Sequence, residues 1–349
     1  MAEIREITSG LLYPEGPVAM DDGSVIVTEL QTGRLVRVQH DGAKDIVAEL
    51  GGSANGAAVG PDGMLYVCNN GGLKLIEVEG NLTPGDGLPD DYTGGSIQRV
   101  DITTGKVETL YTECNGHQLR GPNDLVFDAA GGFWFTDFGK VLERQKDRGG
   151  VYYAKTDGSL IKEMVYPIDG PNGIGLSPGD TKLYVPQTFE GRVWQWDLSG
   201  PGEFANAGGG DGHLLTGPGS GQLLTGLPGY QLLDSMAVDS AGNVCVATLM
   251  NGGITVISPD GASVEHTATE VLETVAPLAP PEELRAAHAL LVSAAQLATS
   301  AARIRREAAL SGELARAWDA SSAAAGALML TERARTEMQA ALSLPQLAQ

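Results

Sequence analysis

Short runs of apolar, β-branched and aromatic residues recur along the first 270 residues, each introduced by a turn of Gly, Asp or Pro. They read DDGSVIV (21–27), PDGMLYV (61–67), AAGGFWF (129–135), PGDTKLYV (178–185) and SAGNVCV (240–246). A turn leading into such a run predicts a β-strand. Each run is followed by a second turn and a further strand: GRLVRV, GLKLIEV, GGVYYA, GRVWQW and GGITVI. Each is also preceded by a shorter strand opening on a polar residue: PEGPVAM, ANGAAVG, PNDLVFD, PNGIGLS and LDSMAVD. Units of three or four strands repeating in this way are the pattern of propeller blades. The expectation is an all-β chain, a β-propeller with five recognisable blades.

Near residue 270 the composition changes. Residues 271–349 hold 23 alanines, 2 glycines and no lysine. The sequence therefore divides into a propeller domain over 1–265, a linker over 266–280 and an Ala-rich α-helical segment over 281–349. Pro280-Pro281 followed by Glu282-Glu283 marks a helix start, with acids at the positive end of the dipole. Ser311-Gly312 interrupts the helical pattern, so a C-terminal α-helical hairpin is the simplest reading. Five blades of an expected six would leave unpaired sheet edges. Either the helical segment fills the gap, or the ring closes with five, or the chain is a truncated and fused product. The tail or an open blade edge is then the expected place for self-association.

The chain carries 23 basic and 44 acidic side chains, a formal charge of −21. Such a balance argues against nucleic acid and against an anionic membrane surface as partners. The run Ala286–Ala302 is too short and polar to span a bilayer, and MAEIREITSG lacks an apolar signal region, so the expected address is cytoplasmic. Cys68, Cys114 and Cys245 are odd in number and widely spaced, which fits core thiols better than a disulfide framework or a zinc site. No Gly-x-Ser-x-Gly elbow is present to support a serine hydrolase.

The five inner strands open on Glu15, Asn55, Asn123, Asn172 and Asp234. In a propeller the innermost strands line a central channel, so these five residues are expected to converge at one mouth. Carboxylate and amide oxygens without His or Cys suit a hard divalent cation, calcium first, with magnesium, manganese or zinc as alternatives. Asp124, beside Asn123, is assigned a structural role, because neighbouring strand residues point to opposite faces. His117 reads as a solvated loop histidine, and Trp134, Trp194 and Trp196 as blade-packing residues.

The segments YPEGPVA, GPNDLVFDAAGGFWFTDFG, GPNGIGLS and LLDSMAVD, within about residues 8–260, resemble the regucalcin, gluconolactonase and luciferin-regenerating enzyme family. The resemblance implies a six-bladed propeller and a metal-dependent hydrolase of small lactones. It also implies metal ligation by Glu15, Asn172 and Asp234, with Asn123 binding the metal or the substrate. The arginine that some sugar-lactone members place two positions before that Asn is absent, since Gly121 stands there and Arg120 is one residue off. No particular sugar is therefore implied. Asp234 is the expected general base, Asn123 orients the carbonyl, and Asn55 is a substrate-side candidate that the resemblance does not make a ligand. The competing functions are organophosphate or aryl-ester hydrolysis on the same metal, and a non-catalytic calcium-binding or interaction propeller.

Overall fold

The computed structural model describes residues 7–78, 81–205, 218–250 and 252–268, with scattered residues between 284 and 334. Two compact units emerge, Met1–Thr267 and Ala268–Gln349. The first holds five successive antiparallel sheets, each built outward in chain order. Blade 1 comprises Pro14–Ala19, Val25–Glu29, Arg34–Val38 and Lys44–Glu49, and blade 3 comprises Pro122–Phe127, Gly132–Asp137, Gly149–Lys155 and Ile161–Ile168. Blade 5 runs from Leu233–Val238 through Val244–Thr248 and Gly253–Ile257 to Val264–Ala268. Blade 4 uses Gly175–Leu176, Lys182–Gln187, Arg192–Gly200 and Gln222–Gly226. Apart from scattered helical positions between 285 and 334, the predicted helical hairpin lies outside the described residues, as does any further blade. Among the described residues no helix is long and apolar enough to cross a membrane.

Blade 2 departs from expectation in one strand. Ala54–Val59 and Leu65–Asn69 form its inner pair, but the third strand is Ser96–Val100 and the fourth Val107–Tyr111. The run taken as its third strand, GLKLIEV, instead supplies Leu75–Val78, which pairs with Asn81–Pro84 in a separate hairpin. Packing decides the matter. Ile97 and Val100 are fully buried against the sheet, whereas Ile76 is exposed.

The sheets stack face to face, and that stacking makes the core. Leu35, Leu65 and Val100 fill the space between blades 1 and 2, and Tyr66, Phe133 and Phe135 that between blades 2 and 3. Strand alternation sends Trp134 to the opposite face, where it meets Leu183 and Val185 of blade 4. A sheet covered on both faces has no polar side, which explains the unbroken apolar run GFWF.

At the end of each second strand the pattern breaks into a buried polar residue: Glu29, Asn69, Asp137, Gln187 and Thr248. Four of them clamp the loop that leads into their own blade's inner strand. Glu29 Oε1 accepts from Leu12 N (2.9 Å), and Asn69 Oδ1 accepts from Ser53 N (3.2 Å). Asp137 accepts from Arg120 N and Gly121 N, both at 2.7 Å, and from Gly139 N at 2.9 Å. Gln187 Nε2 donates to Asp169 O at 2.8 Å. Thr248 works within blade 5, donating to Gly253 O (3.2 Å). These bonds satisfy loop backbone groups that burial would otherwise strand.

The Asp137 clamp gives the sharpest test. Hydrogen bonds to a charged acceptor are worth about 1.5–3 kcal/mol each, and orphaned buried N–H groups add to the loss. Asp137→Ala should destabilise the propeller by about 3 kcal/mol or more, read as a lowered midpoint in urea denaturation.

Candidate metal and catalytic site

Each inner strand enters the sheet through a pair between the residue before its polar head and the clamp of the second strand. Pro14 lies opposite Glu29, Ala54 opposite Asn69, Pro122 opposite Asp137, Pro171 opposite Gln187 and Leu233 opposite Thr248. In blades 1, 2, 3 and 5 the register then shifts before the next pair, between Glu15 and Val18, Ala54 and Ala57, Pro122 and Leu125, and Leu233 and Met236. A bulge of this kind re-aims side chains and ends strict alternation. The polar heads of these four blades sit on or beside the bulges.

Adjacent inner strands touch at the same level. A Cβ on Gly16 (φ 49°) would lie 2.6 Å from Asn55 O, and one on Gly173 would lie 2.5 Å from Met236 N. A Cβ on Gly56 would collide with the Asp124 carboxylate. Hydroxyls of second strands tie neighbouring blades together here. Thr28 Oγ1 donates to Asn55 O at 2.7 Å, and Thr136 Oγ1 to Asn172 O at 2.5 Å.

The heads therefore gather in one small region. Asn55, Asn123 and Asn172 are buried, and Glu15 and Asp234 partly so. Asn172 Nδ2 donates to Thr188 Oγ1 at 3.1 Å. The amide oxygens of Asn123 and Asn172 are buried with no hydrogen-bond partner. Burial pushes the Glu15 carboxyl up to about 8, the charges of Asp234 and Asp124 adding to it and the Gly16 N–H opposing it. Burial likewise raises Asp234, against hydrogen bonds from Asn172 and Ser235.

Asp124 is the residue that sequence alternation assigned elsewhere. Burial lifts its carboxyl to about 7 against the Leu125 N–H, and Asp234 raises it further. Its oxygen overlies Gly56 of the neighbouring inner strand, so it shares the channel with the polar heads. The bulge between Pro122 and Leu125 is the reason, and nothing in the strand pattern announces it. His117 lies exposed on the short hairpin Glu113–Cys114/His117–Gln118. Arg120 is held by Asp147 at 2.8 Å.

This donor set fits a divalent cation. Buried carbonyl-type oxygens carrying no donor, beside carboxylates that repel one another, are the oxygen ligands a hard cation takes. Among the described residues no three His, Cys, Asp or Glu side chains form a metal-holding cluster by themselves. The amide oxygens of Asn123 and Asn172 would have to complete the set.

Fold and site together define a β-propeller that collects acidic and amide oxygens at one channel mouth. The family model described as the SMP-30/Gluconolactonase/LRE-like region matches residues 13–278, and the chain belongs to that family. It is 27% identical over 252 residues to a lactonase drp35 of Staphylococcus haemolyticus, covering 72% of this chain and 67% of that one. It is 26% identical over 286 residues to a gluconolactonase of Zymomonas mobilis, covering 74% and 70%. Among solved structures, a gluconolactonase from Xanthomonas campestris aligns with a TM-score of 0.56 at 23% identity, covering 74% of this chain and 76% of that one. A calcium-binding regucalcin from Agrobacterium tumefaciens aligns at 0.54 and 19%, covering 74% of each. At these identities the two structures speak to the fold.

The raised carboxyls set a pH dependence. A carboxyl whose folded pKa exceeds its unfolded value holds a proton that unfolding releases, so stability falls as pH rises between the two values. For Glu15 that window runs from its ordinary 4.5 to about 8. The melting temperature of chelator-treated protein should therefore fall between pH 5.5 and 8, and added calcium should raise it more at pH 8 than at pH 5.5. A chelated protein with a flat profile, or an equal calcium effect at both pH values, would contradict this arrangement.

Proposed function

We propose that this chain is a metal-dependent hydrolase of small lactones. Glu15, Asn123, Asn172 and Asp234 would hold the cation, calcium first. The observation that carries this reading is the pair of buried, partnerless amide oxygens on Asn123 and Asn172, set among carboxylates raised by burial, Glu15 further by the charges of Asp234 and Asp124. The lactonase and gluconolactonase names of its relatives point to the substrate class. A cation bound there supplies Lewis-acid polarisation of the lactone carbonyl and charge for the developing oxyanion.

The chain's own groups do the rest. A water must lose a proton as its oxygen attacks the carbonyl carbon, and the ring oxygen must gain one as its bond to that carbon breaks. Asp234 is the base nominated by the sequence, but as a ligand its carboxylate is committed. Asp124 has no ligand role and a carboxyl near 7, which suits taking the proton from water and returning it to the departing ring oxygen. Asn55, buried beside it on the neighbouring inner strand, is positioned for the substrate side. Thr188 orients the Asn172 amide by accepting from its nitrogen, leaving the oxygen for the cation.

The test separates ligand from base. Purified protein stripped by chelator should lose turnover of a lactone panel and regain it with calcium, magnesium, manganese or zinc added singly. Asp234→Ala should lose both metal affinity, read by calorimetry, and turnover. Asp124→Asn should keep metal affinity within a few-fold, lose about 10²–10⁴ in kcat and lose the rising limb of the pH–rate profile. Turnover of an organophosphate or aryl ester, with lactones inert, would move the activity to that class. Tight metal binding with no turnover of any substrate would make the chain a binding propeller.

A further inference from the structure

Two residues before each of Glu15, Asn172 and Asp234, the backbone turns left-handed: Tyr13 at φ 59°, Gly170 at φ 53° and Leu232 at φ 52°. Glycine adopts this conformation freely, and blade 4 uses it. Blades 1 and 5 place a bulky Tyr and Leu there, where the backbone disfavours them. The backbone therefore gives no reason for these side chains. Both are half-buried at the channel mouth, and the Tyr13 phenol lies within the field of Glu15 and Asp234.

The surface beside them carries several exposed apolar side chains. Phe189, Tyr230, Leu249 and Met250 are 44%, 63%, 55% and 55% exposed. All four lie on loops at the same end as the polar heads, and backbone bonds fasten them to the site. Leu249 N donates to Leu232 O and Met250 N to Gln231 O, each at 3.1 Å. Leu233 N, next to Asp234, donates to Thr188 O, next to Phe189, also at 3.1 Å. Of the blade 3 cations near the mouth, Lys146 lies over the Phe189 ring with its Nζ 4.4 Å from the centroid, and the other two are committed. Arg120 is paired with Asp147, and the buried Lys140 donates to Gly72 O at 2.8 Å and Asn70 Oδ1 at 3.3 Å. The opposite end of the propeller has a different chemistry, with turns built on aspartates such as Asp22, Asp101, Asp157, Asp239 and Asp260.

From this we infer that the substrate is an uncharged lactone bearing an apolar substituent, with Tyr13 and Leu232 as inner walls and Phe189, Tyr230, Leu249 and Met250 as the outer rim that grips the substituent. The inference rests on the lactone-hydrolase reading and narrows it. A polyhydroxylated lactone would bring its hydroxyls against apolar side chains, and a chain of charge −21 disfavours an anionic one. The same net charge disfavours an anionic bilayer as occupant of the rim.

The test measures kcat/KM for γ-lactones of increasing alkyl chain length, from γ-butyrolactone upward, beside glucono-δ-lactone, with calcium present. Burial of a methylene is worth about fourfold, so the ratio of a six-carbon-chain lactone to γ-butyrolactone should reach at least tenfold, chiefly through KM. The double variant Leu249→Ser/Met250→Ser, on exposed positions where folding is not threatened, should lower that ratio at least threefold, and Leu232→Gly should lower it too. A flat series, a preference for glucono-δ-lactone, or a ratio unmoved in both variants overturns the inference while leaving the hydrolase reading intact. Absence of metal-dependent turnover on every lactone overturns the hydrolase reading and this inference with it.

Discussion

The structure depends on a buried polar residue at the end of each blade's second strand. A propeller of apolar sheets has no intrinsic reason to present its inner-strand ends in one place. The clamps provide it in blades 1 to 4, because Glu29, Asn69, Asp137 and Gln187 each bond the loop entering the inner strand of their own blade. Burial makes these bonds strong and their loss expensive. The polar heads one residue further on inherit a fixed position from them. The site is in this sense largely a product of four second strands, although none of its proposed ligands lies on one.

Two groups of carboxylates in the propeller are shifted in opposite directions. Aspartates in the turns at the far end are held below their ordinary range by hydrogen bonds from neighbouring Ser, Thr or Asn side chains, as at Asp22, Asp101, Asp157 and Asp239. Those in the channel are held above it, first by burial and then by one another. The first population favours the folded state at neutral pH and loses that contribution as acid is added. The second opposes folding at neutral pH unless something positive enters. Stability given up at a site while the scaffold supplies it elsewhere is the usual signature of function.

Much of this was legible in the residues. Five repeats, their turns and the five polar heads could be read directly, because a strand buried on both faces is apolar without interruption and a polar residue at its head stands out. The third strand of blade 2 was misread, since Leu75–Val78 is as strand-like as Ser96–Val100 and only packing separates them. Asp124 is not legible as a neighbour of the polar heads, because alternation holds only where the register does and the bulge after Pro122 breaks it. The clamps went unnoticed although their signal was present. VIVTE, LYVCN, FWFTD, LYVPQ and VCVAT each end on a polar residue, a regularity that becomes meaningful once the pairing of Pro14 with Glu29 and its equivalents is known.

The clamps also fix what a transferable unit of this protein is. Asp137 binds the backbone at 120, 121 and 139, all within one stretch of chain. A module cut at the strand boundaries, beginning at Pro122, would leave two of those partners behind and arrive in a new setting with a buried carboxylate held by Gly139 N alone. One cut before residue 119 would carry its anchorage with it. Shuffling or duplicating blades, whether by gene rearrangement or by design, should therefore respect a frame offset by a few residues from the sheets that the eye picks out.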